Sequence, residues 1–150
     1  MIFCGLQASG KTTFFRERLA TTHAHVSKDN FRSNRRPERR QRQLIEEAFA
    51  QGRSVAVDNT NPTAAERVPL VQLGRAAGAR VVACWFDAKL QECLERNRGR
   101  EGKARVPEVA LRVTQRRLVP PAPEEGYDEI REVRLVPGAG FAVRTLWPIA

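Results

Sequence analysis

Apolar residues along this chain fall into short unbroken runs that alternate with longer amphipathic stretches. MIFCGL at the start reads as a buried strand, HAHVS (residues 23–27) as a shorter second one and SVAV (54–57) as a third. ARVVACWF (79–86) is apolar enough throughout to be a fourth strand buried on both faces. Between them, a helix is expected from about Lys11 to Ala20. A second runs through PERRQRQLIEEAFAQG, with Pro37 in its first turn and Gly52 at its stop. At about 100° per residue, Leu44, Ile45, Ala48 and Phe49 form its apolar face, while Arg36, Arg39 and Arg40 fall opposite. DNTNP (58–62) opens a third helix, with Asn61 as its N-cap, Pro62 at the first helical position and Gly74 or Gly78 near its end. A helix from about Lys89 to Asn97 leads into RGREGKAR, which lacks apolar periodicity and reads as a mobile basic loop. PEVALRVTQRRL is a further helix, and IREVRLV with FAVRTLW makes an edge strand or terminal hairpin. Strands and helices that alternate in this way form a parallel sheet with helices on both faces, an α/β fold. No internal repeat interrupts the pattern, so residues 1–150 are read as a single domain.

Charge adds a direction. The hydrophobic share of 41% and charged share of 29% are those of a globular protein, but the formal net charge is +9. An excess of that size favours a polyanionic partner, most simply nucleic acid. Cys4, Cys84 and Cys93 show no CxxC spacing, and two of them lie in strand-like runs, so buried free thiols in a reducing compartment are expected. No segment reaches the roughly 18 apolar residues of a membrane-spanning helix. The expectation is a soluble, cytoplasmic chain with no membrane partner.

The chemistry starts with GLQASGKTT, residues 5–13, which matches G-x-x-x-x-G-K-[ST] from Gly5 to Thr12. It follows an apolar strand and opens a helix, where glycines let the backbone wrap a phosphate and free N–H groups hold it. Gly5, Ala8, Ser9, Gly10, Lys11, Thr12 and Thr13 are therefore expected to bind ATP. Lys11 would lie at the β- and γ-phosphates and Thr12 would be a ligand of Mg²⁺.

Asp29 and Arg32 stand three residues apart in SKDNFR, just past the second strand, at the end of the sheet where α/β proteins bind ligands. A kinase acting on a hydroxyl needs a carboxylate there to orient it and take its proton. Alternatively, Asp29 caps the following turn. Arg32 carries a planar fork suited to phosphate, and Arg35, Arg36, Arg39, Arg40 and Arg42 follow it. Asp58 ends the third strand as a Walker-type acid does, although DNTNP also makes a good turn. Arg96 sits at a helix end, where a cation is favourable in any case. Arg100, further into the loop, is better placed to face transition-state charge. His23 and His25 alternate in a strand with no third ligand nearby.

With GLQASGKTTF, SKDNFR, VAVDNTNP and CLERNRGR together, the chain resembles the polynucleotide 5′-hydroxyl kinase family, from Met1 to about Ile130 and including EEGYDEI. These are P-loop kinases like the kinase domains of the phage end-healing enzyme and of animal polynucleotide kinase/phosphatase. The resemblance implies a P-loop NTPase fold of adenylate-kinase-like architecture, with a basic lid at about 96–106 and a terminal hairpin at about 129–148. It implies ATP- and Mg²⁺-dependent phosphorylation of single-stranded or end-frayed 5′-OH ends of DNA or RNA. Lys11, Asp29 and Arg100 take the catalytic positions. Arg96 joins the ATP-binding loop, and Arg32, Asp58 and Thr60 fall on the acceptor side. The variable loop residues LQAS differ from the CPGS or PGAG type, and no D-x-D-G-T phosphatase signature is present. A separate phosphatase or ligase is the implied partner. Two other readings stand beside this one. One is a small-molecule kinase on the same scaffold, acting on an antibiotic, sugar or nucleoside. The other is a non-catalytic nucleic-acid module that keeps the loop as an ATP-driven switch.

Overall fold

The computed structural model describes residues 1–149. Six strands form one sheet in the order β2-β3-β1-β4-β5-β6. They are β1 (Ile2–Gly5), β2 (His23–Val26), β3 (Ser54–Val57), β4 (Val82–Phe86), β5 (Glu129–Val136) and β6 (Gly140–Trp147). The first five run parallel, and β6 folds back antiparallel on β5 to close the sheet as a hairpin. The helices are α1 (Lys11–Arg18), α2 (Pro37–Ala50), α3 (Ala64–Ala76), α4 (Leu90–Arg98) and α5 (Glu108–Arg117).

The unbroken apolar runs follow from burial on both faces, because successive strand residues point to opposite sides. Ile2, Val55, Val57 and Ala83 face one layer with Ile45 and Ala48 of α2 and Leu70 and Val71 of α3. Their neighbours Phe3, Ala56, Val82 and Cys84 face the other, with Phe14 and Phe15 of α1 and Phe141 of β6. A third cluster of Leu6, Ala8, Cys93, Leu94 and Leu111 packs α4 and α5 against the loop that follows β1. All three cysteines are free and buried.

Two local expectations change. Helix α3 does not start at Asn61. Its N-cap is Thr63, whose hydroxyl accepts from the Glu66 N–H while the Glu66 carboxylate accepts from the Thr63 N–H. Asn61 has a left-handed backbone (φ 40°), not the extended one of an N-cap, and its side-chain amide donates to the Phe3 carbonyl at 2.8 Å. The basic stretch after α4 is also more than a featureless loop. Buried Asn97 donates to the Val106 carbonyl and accepts from the Val106 N–H, at 2.7 and 3.0 Å, which closes the loop at its base around a single 3-10 turn at Gly102–Ala104.

Candidate active site

The phosphate-loop sequence leaves β1 and enters α1 with almost no room to spare. A Cβ on Gly5 would lie 2.9 Å from the Cβ of Phe86, so the loop approaches β4 only because this residue has none. Gly10, at φ 99°, takes the left-handed conformation that glycine adopts freely, and a Cβ there would also meet the Phe141 ring at 3.1 Å. Gly10 is the N-cap of α1 and supplies no side chain, so the first N–H groups of the helix have no side-chain acceptor. Such a terminus is built to take an anion. The loop is pinned from two sides: the Gly5 N–H donates to the Thr60 carbonyl at 3.0 Å, and Arg96 donates to the Ala8 carbonyl at 2.5 Å. Arg96 thus braces the loop from behind and does not line the cleft.

Lys11 is buried, with its ammonium folded onto the Gly5 and Leu6 carbonyls at 3.0 and 2.5 Å and near the Ser9 hydroxyl at 3.4 Å. Burial pushes its pKa down to about 8, against the pull of the Asp58 carboxylate. A bound phosphate is a stronger partner for this ammonium than two neutral carbonyls.

Beside the lysine, one buried carboxylate collects two donors. Asp58, at the end of β3, accepts on Oδ2 from the Thr12 hydroxyl at 2.7 Å and from His25 Nε2 at 2.8 Å. Thr12 and Asp58 are hard oxygen donors at the mouth of the loop, the kind of partial protein set with which Mg²⁺ sits when phosphates supply the rest. The residues fit that ion: Thr12 would hold it, with Asp58 beside Thr12.

The acceptor-side residues come from the turn after β2. Ser27 caps the 3-10 turn Lys28–Phe31 by accepting from the Asp29 N–H, so Asp29 itself does not act as the cap. Its carboxylate is exposed and pairs with Arg32 at 3.3 Å. Arg32 also donates to the Lys103 carbonyl of the lid at 2.8 Å, which ties the acceptor side to the basic loop. The turn is held to the sheet through Asn59, which accepts from the Lys28 N–H at 2.9 Å and donates to Gln41 of α2 at 2.7 Å.

Lys11, Thr12, Asp29, Arg32, Asp58 and Arg100 all line one open cleft of about 1550 Å³, together with Thr13 and Thr60. Gly5, Ser9 and Gly10 do not line it. Arg39 and Arg42 of α2 reach the same cleft. Among the described residues, Arg35, Arg36, Arg39 and Arg40 form no ion pair, whereas Arg42 pairs with Glu46 at 2.9 Å.

Two partners in this architecture were not read from the sequence. His25 reaches Asp58 across 33 positions. Arg67 of α3 is fully buried and donates to Glu125 and to the carbonyls of Asn61 and Val119, which fixes the turn that carries Asp58 and Thr60. For His25, the one available signal was that His23 and His25 alternate along a short strand.

The chain belongs to the AAA domain family, whose model matches residues 1–121. Among solved structures, it is similar to a chain of the Pnkp1/Rnl/Hen1 RNA repair complex, at 25% identity and a TM-score of 0.65, over 78% of this chain and 42% of that one. It thus spans less than half of that relative. It is also similar to a gluconokinase from Sinorhizobium meliloti 1021, at 18% identity and TM-score 0.61, over 89% of this chain and 80% of that one. Kti12 of Chaetomium thermophilum, solved in complex with ADP-AlF3, matches at 16% identity and TM-score 0.64, over 89% and 87% of the two chains. The fold is the P-loop NTPase fold as P-loop kinases build it. No helix among the described residues is long and apolar enough to cross a membrane.

Proposed function

We propose that this chain is an ATP- and Mg²⁺-dependent polynucleotide 5′-hydroxyl kinase. The observation that carries the reading is the shared cleft. It has a phosphate loop, an exposed carboxylate–arginine pair from the turn after β2, and Arg39 of α2, which forms no ion pair among the described residues. The likeness to a chain of an RNA repair complex supports the same choice of acceptor.

In this reading the free N–H groups of the loop and Lys11 bind the β- and γ-phosphates of ATP. Thr12 would hold Mg²⁺, which would supply charge neutralisation at those phosphates. Asp29 accepts a hydrogen bond from the 5′-hydroxyl and takes its proton as the new O–P bond forms and the bond to ADP breaks. Arg100, from the lid, stabilises charge on the transferring group. Arg32 takes the phosphate on the 3′ side of the terminal nucleotide, and some of Arg35, Arg36, Arg39 and Arg40 take phosphates further along. Asp58 and Thr60 shape the wall between donor and acceptor.

Salt separates this acceptor from a small molecule. Each phosphate contact to a single strand contributes a log–log slope of about −0.7 in binding. KM for a 5′-OH oligonucleotide should therefore rise steeply with salt. A nucleoside 3′-monophosphate should be a poorer acceptor than the oligomer, and a nucleoside without that phosphate poorer still. A flat salt profile with efficient turnover of a sugar, antibiotic or nucleoside would replace the polynucleotide with a small molecule.

A further inference from the structure

His25 is half-buried on the wall of the cleft. It lies in β2 with its ring stacked on Phe15 of α1, centroids 4.3 Å apart and planes 24° from parallel. Its Nε2 lies 2.8 Å from Asp58 Oδ2, and because a carboxylate only accepts, Nε2–H is the donor. The same oxygen accepts from the Thr12 hydroxyl at 2.7 Å.

We propose that His25 is a positioning residue for the nucleotide–metal site, acting on Thr12 through Asp58. The inference rests on the nucleotide-binding part of the reading above and is independent of the acceptor. The torsion of a carboxylate about its last bond is soft, so Asp58 needs a second anchor to hold one orientation. The stack on Phe15 fixes the ring and the ring fixes the carboxylate. Asp58 then accepts the hydrogen bond of the Thr12 hydroxyl and leaves the hydroxyl oxygen's lone pairs directed away from itself, toward the mouth of the phosphate loop. Groups that orient metal-site residues in this way commonly change metal affinity by about 10–100-fold when removed.

The test compares dissociation constants for ATP with and without Mg²⁺, the ratio being the gain that the metal provides. His25→Phe keeps the stack and loses the donor, while His25→Gln restores an N–H near the same place. His25→Phe should lose about tenfold of the gain with metal-free affinity unchanged, and His25→Gln should recover most of it. In an Asp58→Asn background, His25→Phe should cost nothing further. An equal gain in all three proteins, or the same loss in the Asp58→Asn background, would overturn the inference and leave nucleotide binding intact. Absence of nucleotide binding in the wild type would instead overturn the nucleotide reading, and this inference with it. If His25→Phe fails to fold, the intact ring still reports. The chain has only two histidines, and the Nε2 resonance of His25 must shift between wild type and Asp58→Asn; an unmoved resonance contradicts the proposal.

Discussion

Arg67 and Glu125 form a two-pronged ion pair inside the protein, Nε to Oε1 at 2.7 Å and Nη2 to Oε2 at 3.0 Å, with the guanidinium wholly out of solvent. Its Nη1 donates to the Asn61 and Val119 carbonyls, both at 2.9 Å. One side chain thus joins α3, the turn after β3 and the segment before β5. Arg67→Ala would leave the buried Glu125 carboxylate without its countercharge, and breaking such a pair commonly costs about 3–5 kcal/mol. Urea unfolding should show a loss of that size.

The pH dependence of that stability has a definite sign. Burial alone would raise the Glu125 pKa, but hydrogen bonds from Arg67, the Ala122 N–H and Tyr127 outweigh it and hold it below the ordinary 4.5. A carboxyl lowered on folding contributes stability that is complete above its unfolded pKa and is lost as pH falls through the folded one. Stability should therefore fall as pH drops below about 4.5. In Arg67→Ala this part of the acid dependence should shrink or reverse, which chemical unfolding at a series of pH values would reveal.

Lys11 sets a dependence at the other end of the scale. Burial lowers its pKa to about 8, and bound phosphate must raise it again. Nucleotide binding therefore takes up a proton above pH 8 and none well below it. ATP affinity should be level on the acid side of this pKa and weaken toward about tenfold per pH unit above it. Calorimetry at pH 9 in two buffers of different ionisation enthalpy should register the proton uptake. Lys11→Ala should abolish both the uptake and phosphoryl transfer.

Asp29→Asn should lower kcat by about 10²-fold or more, the scale of losing an acid–base group. ATP affinity should hardly change. Because Ser27 already caps the turn, the substitution removes charge and basicity without removing a cap. Turnover within a few-fold of wild type would exclude Asp29 as the base.

Arg32→Ala should raise KM for an oligonucleotide and leave KM for ATP nearly unchanged. It also removes the bond to the Lys103 carbonyl, so the lid should become easier to cleave with protease in the unliganded protein. A change in KM for ATP alone would place Arg32 on the nucleotide side.

What could be read in advance was whatever is local in the chain. The phosphate loop is nine contiguous residues with a spacing that few other structures need, and the strands declare themselves because they are buried on both faces. Asp29 and Arg32 were legible for the same reason, three residues apart on one turn. His25, Arg67 and Asn97 were not, because each owes its role to a partner that only folding brings near. The start of α3 was misread although Thr63 and Glu66 spell a capping box. Asn61 with Pro62 after it makes a cap pattern of its own, which the fold overrides by giving Asn61 a left-handed backbone.

The central claim is that the acceptor is a polynucleotide 5′-hydroxyl, and transfer itself decides it. Protein with Mg²⁺ and γ-labelled ATP is incubated at low salt with a 5′-OH oligonucleotide, its 5′-phosphorylated counterpart, and a panel of sugars, nucleosides and antibiotics. The account predicts label on the 5′ oxygen of the 5′-OH strand, none on the phosphorylated strand, and loss of labelling in Lys11→Ala and Asp29→Asn. Label on a small molecule, with the 5′-OH strand untouched, would contradict it.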